Sequence, residues 1–118
     1  NTVIQGSITS NGGATFYNTS SDATMKRDIA PTRYGLQELR AVAVRDYKFN
    51  ADVDADGIEH MGFLGQELIE TFPGAVTVRD GQYMVDYSKL VPLLIRSTQQ
   101  LDAAIDALTA RVATLEKQ

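Results

Sequence analysis

Ser21 and Lys26 stand five residues apart in the run Ser20-Ser21-Asp22-Ala23-Thr24-Met25-Lys26-Arg27-Asp28-Ile29. A serine hydroxyl is a weak nucleophile and attacks a carbonyl only with a base beside it. A lysine is such a base only in its neutral form, which burial away from water favours. The two residues are therefore candidates for a Ser/Lys proteolytic dyad, with Ser21 as nucleophile and Lys26 as base. The bland reading of the same residues is a capped helical turn. Ser21 or Asp22 would satisfy free backbone N–H groups, and Lys26 would be a solvated charge. Residues five apart do not share a face of a regular helix, where partners are three or four apart. With Ser21 just outside the helical start, Lys26 could fold back to it, and the spacing is then workable.

Other residues are weaker candidates. Asp52-Val53-Asp54-Ala55-Asp56-Gly57 matches the first half of a calcium loop. Position 12 of that loop would be Phe63, where a bidentate Glu is required, so a hydrated acidic turn is the better reading and no metal is expected. His60 is the only histidine; it reads as a structural hydrogen bonder, with an approach to the dyad as the sharper alternative. No Ser/His/Asp triad follows from the spacing. Gly62-Phe63-Leu64-Gly65 lacks the Gly count and the Lys-Ser/Thr of a phosphate loop. The tyrosines Tyr34, Tyr47, Tyr83 and Tyr87 read as core and strand residues. No cofactor is expected.

Three stretches of different composition must position these residues. Residues 1–20 carry no charged side chain. They read as short strands, Thr2–Thr9 and Ala14–Tyr17, broken by Asn11-Gly12-Gly13. An isolated hairpin is marginal in water, so this stretch reads as the last piece of a larger upstream β-structure. An untethered N-terminal arm is the alternative. Residues 21–89 read as a small α+β domain. A helix is expected over Thr32–Ala41, a β-like stretch over Val42–Phe49 and a second helix over Met61–Thr71, ended by Pro73-Gly74. Val76 and Val78 form a strand face, Asp80-Gly81 is a hairpin signal, and Tyr83, Val85 and Tyr87 lie on the return.

Residues 90–118 follow a heptad. Val91, Thr98, Ile105 and Val112 fall on position a, and Leu94, Leu101, Leu108 and Leu115 on position d. Pro92 lies in the first turn, where it is tolerated. The narrow stripe predicts a coiled coil between chains rather than a helix packed on its own domain. β-Branched a residues with Leu at d lean toward two strands, and Thr98 weakens that lean. The pattern alone leaves the oligomer number open.

The chain has 118 residues and a net charge of −4. There is no basic stripe to neutralise phosphates, so nucleic acid is not an expected partner. An anionic membrane surface is also a poor fit. The longest apolar run, Leu90–Ile95, is far short of the ~20 residues that span a bilayer. The polar, uncharged N-terminal stretch does not read as a secretory leader. Cysteine is absent, which excludes disulfides.

Several motifs, taken in order, resemble one family. Ser21-Asp22, Lys26 and Asp28-Ile29 look like the opening of the phage intramolecular chaperone family, also classed as self-cleaving Ser/Lys peptidases, as in endosialidases. Tyr47-Lys48-Phe49 resembles its aromatic strand. His60-Met61-Gly62-Phe63-Leu64-Gly65-Gln66-Glu67-Leu68 resembles its glycine-led helix, and Asp86-Tyr87-Ser88-Lys89-Leu90 its strand-to-helix junction. A heptad tail closes the chain. Gly65 departs from the usual Ala, a change expected to be neutral. The resemblance implies a C-terminal chaperone of a tail fibre or tailspike. Such a domain brings three chains together, helps the upstream β-structure of the same chain to fold, then cuts itself off. It implies Ser21 as nucleophile, Lys26 as base and a cut at Ser20–Ser21, with Ser21–Asp22 as runner-up. It also implies a site of action in the host cytoplasm during assembly, with the fibre ending in the virion tail. A structural trimerisation or fibre-tip module without working chemistry is the alternative. A domain plan follows: 1–20 the end of the fibre shaft, 21–89 the chaperone and protease domain, 90–118 the coiled-coil helix.

Overall fold

A computed structural model describes residues 3–118; the expected strand start at Thr2 lies outside the described residues. The chain divides into two compact units, residues 1–31 and 32–118.

In the first unit β1 (Gly6–Ser10) pairs antiparallel with β2 (Thr15–Thr19), Gly6 opposite Thr19 and Ser10 opposite Thr15. The Asn11 side chain holds the turn: its Oδ1 accepts from the N–H groups of Gly13 and Ala14, both at 3.0 Å. This is the local bonding that makes Asn a turn residue. Asn18 donates across the ladder to Ser7 Oγ at 3.1 Å and Thr9 Oγ1 at 3.3 Å. The strands are shifted from the expected spans because pairing, not residue type, sets their limits. No described residue of this unit is buried; Ile8 and Tyr17 are 71% and 80% exposed. The hairpin has no core of its own.

The second unit is a small mixed fold, α+β as expected, with a long C-terminal helix. Helix α1 covers Leu36–Arg40 and is shorter than the expected Thr32–Ala41. Before it, Thr32 Oγ1 accepts from Tyr34 N–H at 3.1 Å, which holds the chain in a turn. The Gln100 side chain then caps the helix, Oε1 accepting from Leu36 N–H at 2.6 Å. Strand β3 (Arg45–Tyr47) pairs with β4 (His60–Gly62), narrowing the expected 42–49 stretch to the residues that find partners.

That pairing corrects the expected helix over Met61–Thr71. His60, Met61 and Gly62 are strand, and α2 runs Gly65–Thr71. A Cβ on Gly62 would collide with the Tyr87 hydroxyl, which instead accepts the Phe63 N–H at 3.0 Å. Gly65 is also constrained. A Cβ there would lie 2.6 Å from Tyr83 Cβ, so an alanine forces a shift and the expected neutrality of this position is corrected. Strands β5 (Val76–Arg79) and β6 (Gln82–Val85) form the expected hairpin, with Asp80 and Gly81 at φ 52° and 76°, the signs of a type I′ turn. Tyr87 lies beyond it, in a 3₁₀ turn that leads into α3 (Leu90–Glu116).

The core is small. Leu68 of α2, Ala75, and Leu90 and Leu93 of α3 are buried, with Tyr34, Leu39, Val42, Phe63, Phe72, Val76 and Val85 packed around them. Helix α3 therefore does pack on its own domain, but through Leu90, Leu93, Ser97 and Gln100, with α1 against it. The heptad residues lie on another face. Val91, Leu94, Leu101, Ile105, Leu108, Val112 and Leu115 are all exposed, between 44% and 60%. Every residue from Leu101 onward is exposed. No helix among the described residues is long and apolar enough to cross a membrane.

Candidate proteolytic site

Ser21 and Lys26 flank a single 3₁₀ turn, Ala23–Met25, directly after β2. Asp22 starts the turn from an extended backbone (φ −71°, ψ 128°), and its Oδ1 accepts from Thr24 N–H at 2.9 Å and Thr24 Oγ1–H at 2.8 Å. These bonds favour the charged carboxylate: the Thr24 N–H first, then its hydroxyl, hold Asp22 below the usual carboxylate range. Met25 N–H donates to Asp22 C=O and Lys26 N–H to Ala23 C=O, both at 3.1 Å.

The turn reverses the chain so that residues five apart meet in pairs. Lys26 Nζ lies 2.8 Å from Ser21 Oγ, and Ser20 Oγ lies 3.1 Å from Met25 Sδ. Ser21 stands outside the helical turn, the placement in which the spacing is workable. The structure thus brings together the nucleophile and base candidates and sets the Ser20–Ser21 peptide bond beside them. A serine within hydrogen-bond reach of a possible base is the geometric minimum for nucleophilic attack. Both side chains are exposed in the single chain. Beside them runs an open groove of about 470 Å³ whose walls include Val3, Ile4, Ser20, Asp22 and Met25. The N–H groups of Asp22 and Ala23 donate no hydrogen bond among the described residues, which leaves them available to an oxyanion.

The remaining sequence candidates lie in the second unit. Asp54 and Asp56 bond to their own turn, accepting from Asp56 N–H at 3.2 Å and Ile58 N–H at 2.7 Å. No group of three metal-ligating side chains forms among the described residues. His60 stacks on Tyr47 with ring centroids 5.6 Å apart and meets Phe49 edge-on at 5.1 Å. Its Nε2 lies 3.7 Å from Asp56 Oδ2. Tyr47, Phe49 and His60 are thus an aromatic cluster over the β3–β4 pair.

Two organising contacts had no local sequence signal. Arg45 grips Glu67 with two bonds, at 3.1 and 2.7 Å, tying β3 to α2. The bond to Arg45 lowers the Glu67 carboxyl from its ordinary value, and the same bond raises the Arg45 guanidinium. The second is Gln100, which caps α1 from a helix 64 residues away in sequence.

Comparison with known proteins adds one match. Residues 21–77 fit the family described as Chaperone of endosialidase. No curated protein and no solved structure shows detectable similarity to the chain. The matched segment opens on Ser21 and contains Lys26, Tyr47-Lys48-Phe49 and the Gly62–Leu68 run. The match spans just under half of the chain and falls on the segment whose motifs resemble that family.

Proposed function

We propose that this is a C-terminal intramolecular chaperone that gathers three copies through α3, helps an upstream β-structured fibre to fold, and then releases itself by autoproteolysis at Ser20–Ser21. The observation that carries the chemistry is the 2.8 Å contact between Lys26 Nζ and Ser21 Oγ. The family supports the chaperone role.

The reaction begins with neutral Lys26 taking the Ser21 hydroxyl proton. Ser21 Oγ attacks the Ser20 carbonyl carbon, and the N–H groups of Asp22 and Ala23 are the candidate donors to the oxyanion. Collapse of the intermediate breaks the Ser20–Ser21 C–N bond, and the departing nitrogen takes the proton back from Lys26. Ser20 is then esterified to Ser21 Oγ. Water hydrolyses the ester, leaving a carboxylate on Ser20 and a free amine and hydroxyl on Ser21. The enzyme turns over once, and the Ser21–Asp22 bond is the alternative cut.

Lys26 must lose its charge for this, and in the single chain it faces water. A neighbouring copy seated on the groove beside Ser20 and Met25 supplies the missing burial. Cleavage is thereby coupled to assembly, in the host cytoplasm where fibres are made. The domain plan follows: shaft end to residue 20, chaperone and protease over 21–89, coiled coil over 90–118. The exposure of the dyad favours one other reading, a trimerisation or fibre-tip module without working chemistry. A denaturing gel separates the two. Two bands that collapse to one with Ser21→Ala or Lys26→Ala support the protease; one intact band from an assembled wild-type chain refutes it.

A further inference from the structure

The free face of α3 carries a signal for how copies align. This inference rests on the coiled-coil assembly proposed above and adds the residues that fix its register. With Val91 at a, the flanking g positions are Ser97, Ala104 and Arg111, and the e positions are Ile95, Asp102, Thr109 and Glu116. In a parallel, in-register coil each g residue faces the e residue five positions onward in its neighbour. Charges at these positions set partner choice and orientation.

The chain's own fold removes part of this code. Leu90 and Ser97, both on the g side, are buried in the chain's own fold at 5% and 0% exposure. They are closed to another helix. Ala104 would face Thr109, a neutral pair. Arg111 faces Glu116, opposite charges. Neither has an ion-pair partner among the described residues, and both are exposed. In an antiparallel coil e lies against e and g against g, so Arg111 and Glu116 do not meet.

We infer that, in the parallel assembly proposed above, Arg111 of one copy pairs with Glu116 of its neighbour and fixes the register of the helices. The pair repeats at every interface of a closed ring, so a small contact acts several times over.

The test compares self-association of the full chain by sedimentation, in a Ser21→Ala background that keeps chain length constant. Arg111→Glu alone and Glu116→Arg alone each place like charges at every interface and are expected to weaken association at least about fivefold at low salt. The double variant restores opposite charges and the affinity. Both single effects fade at high salt. Because the chain has no cysteine, Leu108→Cys gives a second readout of alignment. A parallel in-register coil brings this position against itself, so oxidation yields covalent dimers within the assembly. A wild-type chain that sediments as a monomer overturns the assembly reading and this inference together. An assembled chain in which the double variant shows no recovery, or in which the Leu108→Cys variant fails to cross-link, overturns the inference alone.

Discussion

Two stretches of one helix put the same kinds of residue to different uses. Leu90, Leu93 and Ser97 are buried in the chain's own small core, while Leu101, Ile105, Leu108, Val112 and Leu115 face water. The first set packs against α1 and shares a core with Leu68 of α2; no described residue of the same chain covers the second. A row of exposed apolar residues that long on a charged, polar helix marks an interaction surface. Helix α3 is thus a core element in its first turns and an uncovered apolar stripe beyond Gln100, the stripe assigned above to the proposed assembly.

The largest effect comes from breaking the outer face. Leu101→Asp with Leu108→Asp is expected to abolish both assembly and cleavage, although Ser21 and Lys26 are untouched. Circular dichroism checks that the body still folds. Normal cleavage by a monomeric variant would separate the chemistry from assembly. Next comes the inner face. Leu93→Ala removes a buried side chain and leaves a cavity, a loss of about 2–5 kcal/mol by chemical denaturation. The outer-face variants should not show this loss in the monomer.

Smaller effects sharpen the picture of the body. Gly65→Ala should destabilise by about 1–3 kcal/mol, because the new methyl presses on Tyr83. An unchanged midpoint would mean that Tyr83 gives way freely. Asp22→Ala removes the cap on the 3₁₀ turn and should slow cleavage several-fold without changing the cut site. The smallest effect concerns Glu67. Its carboxyl sits below its ordinary value in the folded chain, so its contribution is present above the unfolded carboxylate range and is lost as pH falls through the folded value. Glu67→Gln should lower the thermal midpoint slightly at neutral pH and not at all in strong acid.

Much of this was legible in the residues. The Asp80-Gly81 turn, the long helix and the α+β mix follow from turn chemistry and periodicity. The contact between Ser21 and Lys26 follows from Ser21 standing outside a turn that Asp22 caps. The misread parts share one cause, partners distant in sequence. Leu64, Leu68 and Phe72 keep helical spacing, which extended α2 backward over residues that pair with β3 instead. Gly62 and Gly65 are explained by Tyr87 and Tyr83, and the late start of α1 by Gln100. The second face of α3 was hidden for the same reason: its covering residues come from α1 and α2, and the heptad stripe is the stronger pattern.

The most direct measurement is the intact mass of the products from the assembled wild-type chain. The expected product is a C-terminal fragment that begins at Ser21 with a free amine, absent from Ser21→Ala and Lys26→Ala. An assembled chain that keeps its full mass, or a fragment that begins elsewhere, would contradict it.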